Sequence, residues 1–418
     1  MIHHFPYKEF DPIEIPEKNI SGFYTLSDNQ KFVDESELIK NALENPIGSS
    51  RLCKMVKPDM KIVVVVDDNS RNTRTDLMLP MVLAEVEKAG VKRENLTVFI
   101  ALGTHRKMTE NEIAEKYTAA IADNYRFVNP DWKNSLEYGL AGYSSSNFPI
   151  KIHKEILNSD FVIGVGQTIP HMIAGFGGGC KIINPGCADG ETIGYMHWLC
   201  SEAEDGKLFA VRDNPVRQVI DEVGIKAGLK FIINEVPGGS GKIGGVFAGN
   251  PIEAHRQACE FAKKTCQVKL KEKTDIVIAD SYPADMDFWQ ALKGLNAAYG
   301  AVKDGGTVIL VSTCPEGTSS QHSTLTEIGY IAVEEIKLML EAGKLDKAVA
   351  ANLFLGRKLI DKADTILVTK GISKGDTLSM GFGWAENPES ALKEAMKKHG
   401  EDAKINILYK ASKMVCVL

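Results

Sequence analysis

Apolar positions along this chain fall into short β-branched runs that alternate with stretches of helical spacing. Residues 61–67 set the pattern: Ile62 and the valines 63–66 end in Asp67 and Asp68, which predicts a buried strand. An amphipathic stretch at 76–89, stopped by Gly90, predicts a helix. A second buried strand is expected at 96–102, then an acidic helix from near Thr109, and a third strand at 161–165. A helix at 35–45 precedes these elements. Residues 172–200 read as glycine-rich and then helical, 231–236 as a strand and 251–265 as a helix. After a polar, lysine-rich segment at 268–273 the alternation restarts. Strands are expected at 275–280, 307–312, 365–369 and 404–409. Helices are expected at 285–302, between 325 and 359, and at 390–399.

Strands alternating with helices predict an α/β fold of two domains, each a mostly parallel sheet flanked by helices. The expected division is 1–270 and 271–418, with a hinge near 268–273, the active site in the interdomain cleft and the second domain closing over the substrate. The length of 418 residues agrees with two or three domains.

Composition narrows the function. Apolar residues at 44 % and charged residues at 25 % are ordinary for a globular protein. A net charge of −6 argues against nucleic acid, whose binders carry a basic face. The longest apolar run, 62–66, is far too short for a membrane span. The start, Met1-Ile2-His3-His4-Phe5-Pro6, lacks the basic-then-apolar pattern of a signal peptide. Eight cysteines without a Cys-x-x-Cys read as reduced thiols, so a cytoplasmic location is expected.

Ligands of open α/β sheets bind off the carboxyl ends of the strands, and the polar loops of this chain stand there. Asp67-Asp68-Asn69-Ser70-Arg71-Asn72-Thr73-Arg74 follows the first strand, and Arg71 or Arg74 has the fork to clamp a carboxylate. Gly103-Thr104-His105-Arg106 follows the second. The third runs into His171 and then Gly175-Phe-Gly177-Gly178-Gly179-Cys180-Lys181. Histidine titrates near neutrality, so His105 and His171 suit a reaction in which one group takes a proton and another gives one. Glycines let backbone N–H groups converge on a phosphate, although no P-loop or dinucleotide fingerprint is present. A lysine in an apolar surround loses its proton and becomes nucleophilic. Farther on, Trp289-Gln290-Ala-Leu-Lys293 places Gln290 and Lys293 on one helical face.

Taken together, these segments resemble the nickel-pincer lactate racemase family, in order and over most of the chain. The most specific stretch is His171-x-x-Ala-Gly-Phe-x-Gly-Gly-x-Lys181-x-x-x-Pro185-Gly186, followed by Thr192-Ile193 and His197. The resemblance implies a pyridinium mononucleotide with two sulfur-containing arms that hold nickel. It further implies that Lys181 joins this cofactor, that Asp68, the glycines 177–179, Pro185 and Gly186 contact it, and that His197 ligates the metal. His105 and His171 become the acid/base pair, while Arg71, Lys293 and Gln290 hold the substrate. On this reading a 2-hydroxy acid loses its hydroxyl proton to one histidine and hydride from C2 to the cofactor. The planar 2-keto acid then regains hydride on its other face. Cofactor-biosynthesis proteins are the implied partners.

Departures from the family point to a substrate larger or more polar than lactate. Ser70-Arg71-Asn72 replaces Thr-Arg-Pro, Arg74 adds a cation, the loop reads Gly-Gly-Gly-Cys180, and Trp289 replaces a tyrosine. An aldonic acid or a hydroxy dicarboxylate bound through Arg74 is expected. The alternatives are an NAD-linked 2-hydroxy acid dehydrogenase, for which the dinucleotide fingerprint is missing, and a non-catalytic pincer-cofactor binder, which would need no acid/base pair. Hydrolysis on a His-ligated metal would need closely grouped ligands.

Overall fold

The strand Ile62–Asp67 is buried along its whole length and pairs in parallel on both sides. A strand covered on both faces reads as a continuous apolar run, which is why its sequence alternates so little. Around it the computed structural model, which describes residues 1–26, 34–204, 206–238 and 241–418, builds a six-stranded sheet. Its order is Ile243–Gly249, Leu229–Pro237, Phe161–Gln167, Ile62–Asp67, Leu96–Ala101, Arg126–Val128. All pairs are parallel except the antiparallel edge strand Ile243–Gly249. From Ile62–Asp67 the chain first builds outwards through Leu96–Ala101 and Arg126–Val128, then returns to lay Phe161–Gln167 on the opposite side. That reversal is a topological switch point, and it opens a crevice at the carboxyl ends of the two central strands.

Helices cover this sheet as the spacing predicts. Thr75–Glu87 buries Met78, Leu79, Val82, Leu83 and Val86, and the acidic helix Glu110–Tyr117 starts on a Thr109–Glu112 capping box. Unanticipated were the edge strands Arg126–Val128 and Ile243–Gly249, the hairpin Tyr138–Tyr143 with Pro149–His153, and the helix Pro215–Lys226, capped by Asn214 with proline in its first turn.

The second sheet has the order Gly383–Trp384, Asp364–Thr369, Val302–Ser312, Thr274–Asp280, Ile405–Leu408, Ile20–Tyr24, and every pair is parallel. Helices Phe288–Ala301, Lys347–Ile360 and Pro388–His399 correspond to the expected ones.

The chain divides into Ser27–Thr265, and Met1–Leu26 together with Cys266–Leu418. The expected boundary of 1–270 is therefore corrected at its start. Ile20–Tyr24 supplies the edge strand beside Ile405–Leu408. Phe5, Tyr7, Phe10, Ile13 and Ile15 pack into one core with Ile276, Ile278 and Ile407. The sequence hid this because those apolar residues bury themselves without forming a long regular element. Nor is the lysine-rich segment an open linker at its start: Gln267–Lys269 pairs with Val415–Val417, with Val268 turned inwards. Among the described residues no helix is long and apolar enough to cross a membrane.

Candidate active site

Three polar loops leave the adjacent strands Phe161–Gln167, Ile62–Asp67 and Leu96–Ala101 on the same side, at the switch point. At the end of Ile62–Asp67, Asp67 is structural. Thr73 and Thr75 donate hydroxyls to its carboxylate, and the Lys116 ammonium lies 3.5 Å away. Burial raises its carboxyl above the ordinary range despite the Lys116 charge.

Asp68 behaves oppositely. Its Oδ2 is 2.5 Å from His105 Nδ1, and its Oδ1 accepts the Ser70 hydroxyl at 2.6 Å. Burial alone would raise this carboxyl too. The His105 imidazole, the Arg71 charge and the Ser70 hydroxyl outweigh burial and hold it well below the ordinary carboxylate range. An ionised carboxylate only accepts, so His105 Nδ1 carries the proton, and the neutral ring has its lone pair on Nε2.

His171 is set the other way. Its Nδ1 accepts the backbone N–H groups of Ile173 and Ala174, each at 3.2 Å. Backbone N–H groups only donate, so this ring in its neutral form carries its proton on Nε2. His197 closes the helix Gly190–Trp198, where its Nδ1–H donates to Ile193 O at 2.8 Å. That bond turns a lone pair on Nε2 outwards, the pattern seen in metal-ligating histidines.

Lys181 follows the glycine loop, in the turn Gly179–Ile182. Burial, then the charges of Arg71 and Arg217, lower its ammonium from the ordinary value to about 7, opposed only by Asp68. The Arg71 charge thus acts on both Asp68 and Lys181. Gly178 and Gly179 need to be glycine, with φ of +75° and +59° and no room for a Cβ against Thr168 Oγ1 or the His255 ring. Gly177 donates to Ile169 O at 2.7 Å. Pro185 and Gly186 lie against the His105 loop, where Gly186 O accepts the Gly103 N–H at 3.1 Å.

Thr168 Oγ1 and both polar atoms of Asn184 are buried with no protein hydrogen-bond partner, as groups awaiting a ligand would be. Among the described residues no three His, Cys, Asp or Glu side chains come together to hold a metal ion on their own.

Arg74, expected as a second cation for substrate, is ion-paired within the protein. Its guanidinium is held by Glu35 at 2.9 Å and by Asp76 at 3.0 Å. Cys180 is buried and packs against Gly224 of the helix Pro215–Lys226. In the C-terminal unit, Lys293 Nζ donates to Gln290 Oε1 at 2.6 Å, so the two do share a helical face. Trp289 stacks on His322, with 4.5 Å between ring centres. Sequence reasoning missed Arg217 altogether, because the helix that carries it was not anticipated; the Asn214-Pro215 start was the signal for it.

A doubly wound sheet with an ionised aspartate bonded to a histidine, and a lysine of lowered pKa, at its switch point has the site of an α/β enzyme. Residues 7–207 match the lactate racemase N-terminal domain and residues 269–415 the lactate racemase C-terminal domain. The chain belongs to the lactate racemase family, and it is an isomerase of the racemase type. It is 35 % identical to a lactate racemase of Thermoanaerobacterium thermosaccharolyticum over 314 residues, covering 73 % of this chain and 72 % of that protein. It is 27 % identical to a lactate racemase of Lactiplantibacillus plantarum over 393 residues, covering 90 % and 89 %. The lactate racemase apoprotein structure from T. thermosaccharolyticum superposes with a TM-score of 0.85 at 29 % identity, over all of both chains. A Thermotoga maritima protein of 21 % identity shares the fold, with a TM-score of 0.75 over 94 % of this chain and all of that one.

Proposed function

We propose that this racemase inverts C2 of a 2-hydroxy acid by moving a proton through its histidines and a hydride through a nickel-pincer nucleotide. The observation that carries the reading is that His105 and His171 hold their Nδ1 atoms in opposite ways. His105 offers a lone pair on Nε2 and accepts the substrate hydroxyl proton, and Asp68 stabilises the imidazolium that results. His171 presents its Nε2–H to the substrate oxygen and supplies the proton on the other side. Arg71 holds the carboxylate. When bound, the pyridinium cofactor supplies the carbon that takes the C2 hydride and gives it back. The 2-keto acid formed in between is planar, so hydride can return to either face.

The features of this chain fit that cofactor. Lys181, with its amine near neutrality, is the proposed point of attachment, and His197 Nε2 the proposed nickel ligand. Gln290 and Lys293, an amide and an ammonium in mutual contact, are proposed substrate contacts. Cofactor-biosynthesis proteins are the proposed partners in the cell, and the cytoplasm the proposed location.

For the substrate, lactate is the simplest candidate, since the relatives are named lactate racemase. Among larger acids, an aldonic acid needs no second cation and fits better than a dicarboxylate, because Arg74 is already paired. The test is proton NMR of cofactor-loaded protein given single enantiomers or epimers of lactate, malate, 2-hydroxyglutarate and aldonic acids, without NAD. Appearance of the opposite C2 configuration, with deuterium retained from 2-deuterated substrate, is the expected result. Exchange of that deuterium with solvent, or no conversion by nickel-loaded protein, overturns the mechanism.

A further inference from the structure

Among the described residues Arg217 heads the largest fully buried side chains. Removing a guanidinium from water costs several kcal/mol unless every donor is met. Among the described residues the one carboxylate paired with it, Asp221, is 3.7 Å away, and Arg256 already holds that group at 2.6 Å. Carbonyls of the glycine loop satisfy Arg217 instead. Nε donates to Ala174 O at 3.3 Å and one terminal nitrogen to Gly178 O at 3.3 Å, while the other donates to Phe176 O. His255 completes the arrangement from the same side, donating Nε2–H to Gly177 O at 2.8 Å.

Both ends of this set of bonds touch groups that the proposed reaction uses. Ala174, whose carbonyl Arg217 holds, gives its own N–H to His171 Nδ1. Gly178, whose carbonyl Arg217 also holds, accepts the N–H of Lys181 at 3.2 Å. One planar fork thus spans the loop from the tautomer-setting contact of His171 to the turn that presents Lys181. A lysine at 217 would keep the charge but has no fork to span three carbonyls.

We infer that Arg217 is a positioning residue for the racemase reaction, fixing through the carbonyls of Ala174, Phe176 and Gly178 both the orientation of His171 and the placement of Lys181. The inference rests on the proposed roles of those two residues. Arg217 acts through the loop carbonyls it holds and not by contact with substrate or cofactor. Its charge also acts on the Lys181 ammonium, as does that of Arg71, with Asp68 the opposing anion.

The test uses the full chain and two variants, Arg217→Lys and Arg217→Met, with cyanate as the amine probe. Carbamylation of Lys181, followed by peptide mass against pH, should have its midpoint near 7 in the unmodified protein. In Arg217→Met the midpoint should move upward, because a neighbouring cation is gone. In Arg217→Lys the charge stays, so the midpoint should move less, while amide exchange over residues 173–181 rises about tenfold as the bridging bonds are lost. In cofactor-loaded protein, Arg217→Lys should lower kcat more than it raises KM. Should Arg217→Met fail to fold, the exchange and kinetics of Arg217→Lys decide the matter. Unchanged exchange over 173–181 in folded Arg217→Lys, or an unmoved Lys181 midpoint in folded Arg217→Met, overturns the inference. Failure of the unmodified protein to racemise any 2-hydroxy acid would instead count against the proposed function, since labelling and exchange need no turnover.

Discussion

Asp68 Oδ2 and His105 Nδ1 lie 2.5 Å apart, and that bond decides which nitrogen of His105 is available for chemistry. The carboxylate stays ionised because the imidazole, Arg71 and Ser70 together outweigh its burial. Asp68→Asn keeps the shape but can donate to Nδ1, which moves the lone pair away from Nε2 and removes the charge that steadies the imidazolium. Turnover should fall about 10³–10⁴-fold, as replacement of a histidine-orienting aspartate does elsewhere. Nickel content and melting temperature should stay close to those of the unmodified protein. Racemisation assays on loaded protein check the first expectation, and metal analysis with thermal melts the second.

The three site histidines should separate by function. Their Nδ1 partners differ: a carboxylate for His105, two backbone N–H groups for His171 and a carbonyl for His197. His105→Ala and His171→Ala should each abolish turnover with nickel retained, whereas His197→Ala should loosen nickel. Metal analysis after gel filtration distinguishes the outcomes, and equal nickel loss in all three variants would defeat these assignments. In 15N-histidine NMR at neutral pH, a neutral His171 should show its proton on Nε2.

Much of this arrangement is legible in the chain. The valines 63–66 are buried on both faces, so the strand needs no tertiary information to be recognised, and the polar loop after it has to stand at a strand end. The i,i+3 spacing of Gln290 and Lys293 translates directly into their contact. Other features depend on partners far away in sequence. Ile20–Tyr24 has mixed burial and becomes a strand only because Ile405–Leu408 lies beside it. Arg74 looks like a free cation until Glu35, far from it in sequence, closes on its guanidinium. Arg217 lies in a helix that went unanticipated, and its burial depends on the carbonyls 174, 176 and 178, some forty residues earlier in the chain.

Gly178 holds a φ of +75°, and a Cβ there would meet Thr168 Oγ1 at 2.4 Å. Gly178→Ala should therefore cost about 1–3 kcal/mol from backbone strain alone, with further loss from the displaced hydroxyl. A Cβ on the neighbouring Gly177 meets nothing closer than 3.4 Å, so Gly177→Ala should cost clearly less. Urea unfolding of the two variants side by side is the measurement, and equal costs would mean that the loop does not need the left-handed residue.

Residues 1–26 belong with Cys266–Leu418, which makes a truncation informative. Deleting them strips the edge strand beside Ile405–Leu408 and removes Asn19, whose amide caps the carbonyls of Glu401 and Ala403 at 2.8 and 2.9 Å. It also exposes the core around Ile276 and Ile407. Hydrogen exchange should accelerate across residues 274–280 and 405–408 and leave residues 62–67 and 96–101 as slow as before. Faster exchange throughout Ser27–Thr265 would mean that the N-terminal segment supports the other unit as well.

Arg74 decides between substrate classes. As a second carboxylate ligand it would have to leave Glu35 and Asp76, and both hold it at or below 3.0 Å. Arg74→Ala should therefore act on stability, lowering it by about 1 kcal/mol for the loss of two partly exposed ion pairs. It should leave kcat/KM for a 2-hydroxy monocarboxylate within a factor of two, roughly the spread expected for a surface change away from the chemistry. Malate and 2-hydroxyglutarate provide the counter-test. If either is racemised by the unmodified protein and Arg74→Ala abolishes that activity alone, the guanidinium does release its partners to bind a distal carboxylate. The substrate class would then be the dicarboxylates, and Glu35→Gln, by freeing the guanidinium in advance, should lower their KM.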